Sequence, residues 1–176
     1  MIAPANYLSN HTTDRLVIRP LAEEHTLPWV DYLSDPLTMR YFPDFLRLEA
    51  VTQAPIWIER QQERYATNQF GLLALHLHDG TFIGQCGLLS QEVDGETILE
   101  IGYHLYPAYW GLGFATEAAT YFKSYTIQHQ LSPFVVSMIH PDNTPSQAVA
   151  IRNGMQPWKN TVWRDIPVVI YRIEIE

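Results

Sequence analysis

One cysteine, Cys86, is all the chain has, and a single thiol closes no intrachain disulfide. Cys86 lies in a strand-like run at residues 81–89 with no partner base apparent nearby. It reads as a buried, inert thiol rather than a nucleophile. Charge is scarce as well: Asp, Glu, Lys and Arg make up 17% of the residues, against 47% apolar. That balance excludes a disordered chain and supplies a sizeable core. Lys and Arg number 11 against 19 Asp and Glu, a net charge of −8, and they never gather into a run. Nucleic acid needs a basic footprint and is a poor candidate partner; an acidic balance favours a cationic one, such as an amine. No stretch of about 18 apolar residues is present to span a membrane. Residues 1–11 show no basic start followed by an apolar segment, so no signal peptide and a cytoplasmic protein are expected. No internal repeat, low-complexity tract or flexible linker divides the 176 residues, and residues 1–176 read as a single domain.

Hydrophobic spacing predicts an α+β fold. Residues 15–19 alternate as a strand; residues 22–33 read as a helix stopped by Asp35-Pro36; residues 38–48 are irregular and aromatic; residues 52–66 read as a second helix. Three strands follow, at residues 70–78, 81–89 and 97–105. Asp79-Gly80 and Asp94-Gly95 accept the positive φ of tight turns, so an antiparallel meander is expected. Ala115, Ala118, Ala119 and Phe122 recur at helical spacing. A short apolar strand at residues 134–139 comes next, and a strand–helix–strand order implies that this strand runs parallel to the one at 97–105. Residues 140–155 read as a loop and short helix, and residues 167–174 as a last strand. His76 and His78 share one face of the first meander strand; with no third ligand evident, no metal is expected.

The most informative segment is Tyr109-Trp110-Gly111-Leu112-Gly113-Phe114-Ala115-Thr116-Glu117-Ala118, at the junction of the strand 97–105 and the helix that begins near Gly113. Two glycines permit a tight turn. The first N–H groups of a helix have no intrahelical partner and sit at the positive end of its dipole, so the junction suits a phosphate or pyrophosphate held on main-chain donors. A P-loop would require Gly-Lys-Ser/Thr, which is absent, and a dinucleotide fingerprint would require a third glycine and an acid at the tip of the next strand, also absent.

The turn resembles the acetyl-CoA pyrophosphate loop of the GNAT acetyltransferase superfamily, Gln/Arg-x-x-Gly-x-Gly/Ala, with Gly113 and Ala115 in the last two fixed places and Trp110 where Gln or Arg would stand. The Tyr-Trp-Gly-x-Gly-Phe-Ala-Thr-Glu-Ala reading is similar to the branch that includes the ribosomal-protein N-terminal (alanine and serine) acetyltransferases. Thr13-Asp14-Arg15-Leu16-Val17-Ile18-Arg19-Pro20-Leu21, Asp35-Pro36 through Tyr41, Glu100-Ile101-Gly102-Tyr103, and Asn143 through Met155 resemble further blocks of that branch in the same order. The resemblance implies a GNAT-like mixed, mostly antiparallel sheet flanked by helices and splayed at the strand before the loop.

It also implies transfer of an acetyl group from acetyl-CoA to a primary amine, on a small molecule or a protein N-terminus, by a monomer or homodimer. Gly111, Leu112, Gly113, Phe114, Ala115 and Thr116 would hold the pyrophosphate, and the main chain of Ile101, Tyr103 and Leu105 would run along the pantetheine like an added strand. Asn143 and Ser146 would lie near the pantetheine amide and sulfur. If the strand alternates, Glu100 and His104 share one face; either can serve as the base that neutralises the amine. Relatives carry a Tyr seven residues after the Asn, where this chain has Ala150, so Ser146 is the remaining hydroxyl for the departing thiolate. Tyr41, Phe42, Asp44 and Phe45 are candidates for the acceptor wall, with Trp57 either lining it or serving as core. The rival reading is a CoA-binding sensor or scaffold without turnover.

Overall fold

Eight strands form one sheet in the order β1-β2-β3-β4-β5-β6-β8-β7 in this computed structural model, which describes residues 1–43 and 49–175. The strands are β1 (His11–Thr12), β2 (Leu16–Pro20), β3 (Leu72–Leu77), β4 (Phe82–Val93), β5 (Glu96–Leu105), β6 (Phe134–Ile139), β7 (Gln156–Trp163) and β8 (Ile166–Glu174). The helices are α1 (Thr26–Ser34), α2 (Pro36–Met39), α3 (Ala50–Ala66), α4 (Phe114–Gln128) and α5 (Thr144–Arg152). Neighbouring strands are antiparallel except β5 and β6. These two are joined through α4, and a crossover of that kind returns the chain in the same direction.

Helices cover both faces of the sheet. On one face α4 lays Ala118, Ala119 and Phe122 among Leu73, Leu75, Leu99 and Ile101. On the other, α1 and α3 lay Trp29, Tyr32, Ala54 and Ile58 among Leu72, Ala74 and Leu89. The two-residue period of a strand thus feeds alternate side chains into two cores. Each fully buried Leu or Ile contributes roughly 2 kcal/mol, so the two layers hold the sheet without any cross-link.

The expected meander, its two turns and the parallel pairing of β5 with β6 are present. Other expectations need correction. The helix at 22–33 is a short 3-10 turn, Glu23–His25, followed by α1. Asp35 then starts a separate helix that runs into the first residues of the segment read as irregular: its Oδ1 accepts the Leu37 N–H at 2.8 Å, and Pro36 sits where a missing N–H costs nothing. The strand β7 was not expected at all. Its hairpin with β8 turns on Arg164 and Asp165, both at positive φ (49° and 66°), a geometry usually signalled by Asn-Gly or Asp-Gly. His76, on a face that could have been wet, is buried, since that face lies under α1 and α3; its Nε2 lies 3.2 Å from His25 Nε2 and 3.2 Å from Arg19 Nη2. His78 instead bonds the Asp14 carbonyl at 3.1 Å.

Candidate active site

The sheet opens between β5 and β6. Whereas β4 and β5 pair continuously from Gly84↔Leu105 to Val93↔Glu96, β5 and β6 register only at Glu100↔Val136. Beyond that point Ser137 Oγ reaches across to donate to the Ile101 carbonyl at 2.9 Å. Ile101 therefore turns its main chain toward β6, and by strand alternation Tyr103 and Leu105 do so as well. A cleft of about 1610 Å³ runs through this fork, lined among others by Ile101, Tyr103 and Leu105.

At one end the cleft meets the glycine turn. Gly111 (φ 73°) and Gly113 (φ 85°) are both left-handed, a conformation that strains any residue with a Cβ. Gly113 is the N-cap of α4, so the N–H groups of Phe114, Ala115 and Thr116 begin the helix without intrahelical acceptors. Gly111, Leu112, Gly113, Ala115 and Thr116 line the cleft. The Phe114 ring does not: it is buried beneath the Arg15 guanidinium, 4.3 Å away.

A brace that local sequence could not reveal fixes this turn. Glu117 accepts from Thr13 Oγ1 (2.5 Å), from the Arg15 N–H (2.9 Å) and from Arg15 Nε (2.6 Å), while Arg15 Nη1 donates to the Leu112 carbonyl at 2.9 Å. Opposed to some burial, these bonds and the guanidinium hold the Glu117 carboxyl below its usual range. Arg15 and Glu117 lie 102 residues apart, and each alone reads as an ordinary surface charge. Trp110, where Gln or Arg was expected by resemblance, donates Nε1 to the Leu105 carbonyl at 2.6 Å and so ties the end of β5 to the turn.

Asn143 and Ser146 also line the cleft. Asn143 Oδ1 caps α5 by accepting the Ser146 N–H at 3.3 Å, and the Ser146 carbonyl accepts from the Tyr103 hydroxyl at 2.8 Å. Ala150 is buried against the core.

At the other end stand the side chains that β5 sends toward α3. Glu100 is buried at the last paired position of the fork. Burial pushes its carboxyl above the ordinary carboxylate range, against Gln91 Nε2 at 2.8 Å, the main chain of Met138 and the charges of Arg164 and Arg64. His104 packs among Phe42, Trp57 and Tyr32, with ring centroids at 5.2, 5.7 and 6.4 Å. Burial lowers its imidazole to about 4, so it is neutral at pH 7. Trp57 is half-buried, lines the cleft and donates Nε1 to Gln85 Oε1 at 3.0 Å, so it is wall rather than pure core. Tyr41 stacks on His140 (4.9 Å, 27°) and donates to the Asp142 carbonyl at 3.0 Å, joining this wall to the β6–α5 loop. Asp44 and Phe45 lie outside the described residues. Gln91, Ser137, Arg15, Arg60, Arg64 and Arg164 are cleft or supporting residues that sequence reasoning did not single out.

Among the described residues no group of three or more His, Cys, Asp or Glu could hold a metal ion, and no helix is long and apolar enough to cross a membrane.

Residues 15–156 match the family described as acetyltransferase (GNAT) domain. A curated relative, the uncharacterized N-acetyltransferase p20 of Bacillus licheniformis, is 28% identical over 158 residues, spanning 87% of this chain and 84% of the relative. The crystal structure of an acetyltransferase from Agrobacterium tumefaciens str. C58 superposes with a TM-score of 0.75 at 26% identity, covering 94% of both chains. Mycobacterium smegmatis RimJ in complex with CoA-disulfide has the same fold at a TM-score of 0.72 and 19% identity, over 90% of this chain and 81% of that one. Ribosomal-protein acetyltransferases are among the structural neighbours.

Proposed function

Because the chain belongs to the acetyltransferase (GNAT) domain family, we propose that it is an N-acetyltransferase moving an acetyl group from acetyl-CoA directly onto a primary amine. One observation carries this reading: the β5–β6 fork opens directly onto the glycine turn, within one cleft. The residues present fit the donor. The uncapped N–H groups at the start of α4 suit a pyrophosphate. The main-chain groups that Ile101, Tyr103 and Leu105 turn toward β6 suit the pantetheine amides as an added strand. Asn143 and Ser146, which line the same cleft, are proposed to lie near the pantetheine amide and the sulfur. RimJ, which shares the fold, is described in complex with CoA-disulfide.

The bound thioester supplies the acetyl group; the transfer makes a C–N bond, breaks the C–S bond and releases one proton from the amine. The chain's residues serve that balance. Glu100, buried and hydrogen-bonded by Gln91, takes up the amine proton directly or through one water. Its raised carboxyl remains a better base than a surface glutamate. His104, neutral at pH 7 but weakly basic, is the alternative acceptor of that proton. The Tyr103 N–H, turned toward the fork, is the proposed donor that polarises the acetyl carbonyl. Ser146 is the hydroxyl available to the leaving sulfur. Tyr41 and Phe42, with Asp44 and Phe45 next to them in sequence, are proposed for the acceptor wall.

A sensor that binds CoA without turnover is the competing reading, and Ala150, buried and without a hydroxyl, is the feature in its favour. Thiol release from acetyl-CoA across a panel of amino acids, polyamines and peptide N-termini separates the two. Release with at least one acceptor supports the transferase; tight CoA binding with no release from any acceptor supports the sensor.

A further inference from the structure

The acceptor end of the cleft carries a concentration of positive charge that the overall composition hides. Arg60 and Arg64 lie four residues apart on α3, so their side chains leave one face of that helix. Both line the cleft that also contains Glu100, and so does Arg164 from the β7–β8 turn. These are three of only 11 basic residues in a chain of net charge −8. They stand near one another: after burial, the neighbours that lower the Arg64 guanidinium are Arg60 and Arg164, and the neighbour that lowers Arg164 is Arg60.

Among the described residues, the counter-charge of Arg60 and Arg64 is incomplete. Arg64 Nη1 donates to the neutral Gln61 Oε1 at 3.0 Å. Among the described residues, no carboxylate lies within 4 Å of Arg60 or Arg64 in an ion pair. Glu100 lies within electrostatic reach of Arg64, yet its own hydrogen bonds go to Gln91 and the main chain of Met138. Like charges gathered in a concave site repel one another and focus a positive potential there. A guanidinium presents a planar fork of donors that matches carboxylate and phosphate oxygens.

The face of the sheet decides which anion this is. The pyrophosphate turn belongs to α4, whose core partners are Leu73, Leu75, Leu99 and Ile101. Arg60 and Arg64 belong to α3, which packs Ala54 and Ile58 on the opposite face with Leu72, Ala74 and Leu89. The arginines therefore lie on the face of the sheet opposite the pyrophosphate turn, with Glu100 and His104.

We infer that the acceptor is a small amine bearing its own carboxylate or phosphate, that Arg64 and Arg60, with Arg164 beside them, receive that anion, and that Glu100 faces the amine. The inference rests on the N-acetyltransferase reading. It gives the substrate the opposite local charge from the one that a net charge of −8 suggests.

Matched acceptors test it: amino acids against their amides, phosphoethanolamine against ethanolamine, and spermidine as a purely cationic reference. The anionic member of each pair is expected to show at least about tenfold higher kcat/KM, falling with added salt. Arg64→Gln should remove most of that preference by raising KM for the anionic member, while the Kd for CoA stays as in wild type. Arg60→Gln, on the exposed face of α3, should weaken it in the same direction and guards against a folding defect in the first variant. The carboxylate and phosphate pairs separate the two sources of the anion. Equal rates within every pair, or a preference for spermidine, would overturn the inference while leaving the transferase reading intact. Absence of thiol release with every acceptor would instead sink the transferase reading. Calorimetry of the CoA-saturated protein with phosphoethanolamine and with the amino acids then decides the anion question: binding lost in Arg64→Gln upholds it, and no binding to wild type overturns it.

Discussion

The two ends of the cleft are built from different materials. The proposed donor end uses main chain: glycines at positive φ, the first amides of α4, and the edge of β5 freed where β6 diverges. The proposed acceptor end uses side chains from five distant segments: Tyr41 after α2, Trp57 and Arg64 on α3, Gln91 on β4, Glu100 and His104 on β5, and Arg164 in the β7–β8 turn. A donor whose phosphates and amides never change can be held by backbone, which any sequence supplies once its turn is right. An acceptor has to be told apart from other amines, and only side chains vary enough to do that.

The sharpest way to break this contrast is Glu100→Gln. The substitution preserves shape and the neighbourhood of Gln91 but removes the proposed base. Steady-state rates should fall by about 10²–10³-fold at neutral pH, while calorimetric affinity for CoA stays unchanged. In wild type, the rate should rise with pH through a midpoint above the ordinary glutamate range, because burial raises that carboxyl. A full-rate variant would remove Glu100 from the chemistry.

Acid should attack the acceptor side next. His104 titrates near 4 in the folded protein against 6.5 unfolded. Between those values the unfolded chain takes up a proton that the folded imidazole refuses, so stability is full above pH 6.5 and falls as pH drops toward 4. At about 1.4 kcal/mol per pH unit, the loss is about 3 kcal/mol. The unfolding free energy from urea titrations should drop between pH 7 and pH 4 by about that much more in wild type than in His104→Asn. His76, also near 4 and lowered by burial, Arg19 and His25, titrates with the same sign and remains in both proteins. Glu100 acts in the opposite sense, since a raised carboxyl stabilises the fold as its proton returns.

On the donor side, Gly113→Val should raise the Kd for CoA by about tenfold or more. A β-branched residue at φ 85° costs roughly 1–2 kcal/mol, and a Cβ there would come within 3.3 Å of Arg15 Nη2. The acceptor-end rate at saturating CoA should change far less. Arg15→Ala is the gentlest test. Its guanidinium is half exposed, so losing the bonds to Glu117 and Leu112 should cost about 1 kcal/mol and raise the CoA Kd several-fold. An Arg15→Ala protein with unchanged CoA affinity would show that the turn holds its shape without the brace.

Legibility in the sequence follows the same division. The meander was readable because Asp79-Gly80 and Asp94-Gly95 are local turn signals flanked by alternating residues. The parallel strand β6 followed from the strand–helix–strand order. β7 was not readable: its Pro157, Lys159 and Asn160 disfavour a strand, and Arg164-Asp165 is not a usual hairpin dipeptide, so only pairing with β8 makes it one. The short helix α2 was hidden among aromatics, although Asp35-Pro36 is itself a helix start. At the site, the Gly111–Gly113 turn and the shared face of Glu100 and His104 came from spacing alone. The bond between Glu117 and Arg15, the bridge from Tyr41 to Asp142 and the arginines beside Glu100 did not, since nothing local links residues about 100 apart.

The sequence by itself determined the strand and helix periods, the glycine positions and the side of β5 on which each residue falls, because backbone sterics and hydrophobic period act over a few neighbouring residues. Only the tertiary structure decided that β6 leaves β5 after Glu100, that His76 and His104 are neutral, and that positive charge collects at one end of an acidic protein. Burial and electrostatics depend on which distant segments the two cores bring together, and no short stretch of chain contains that information.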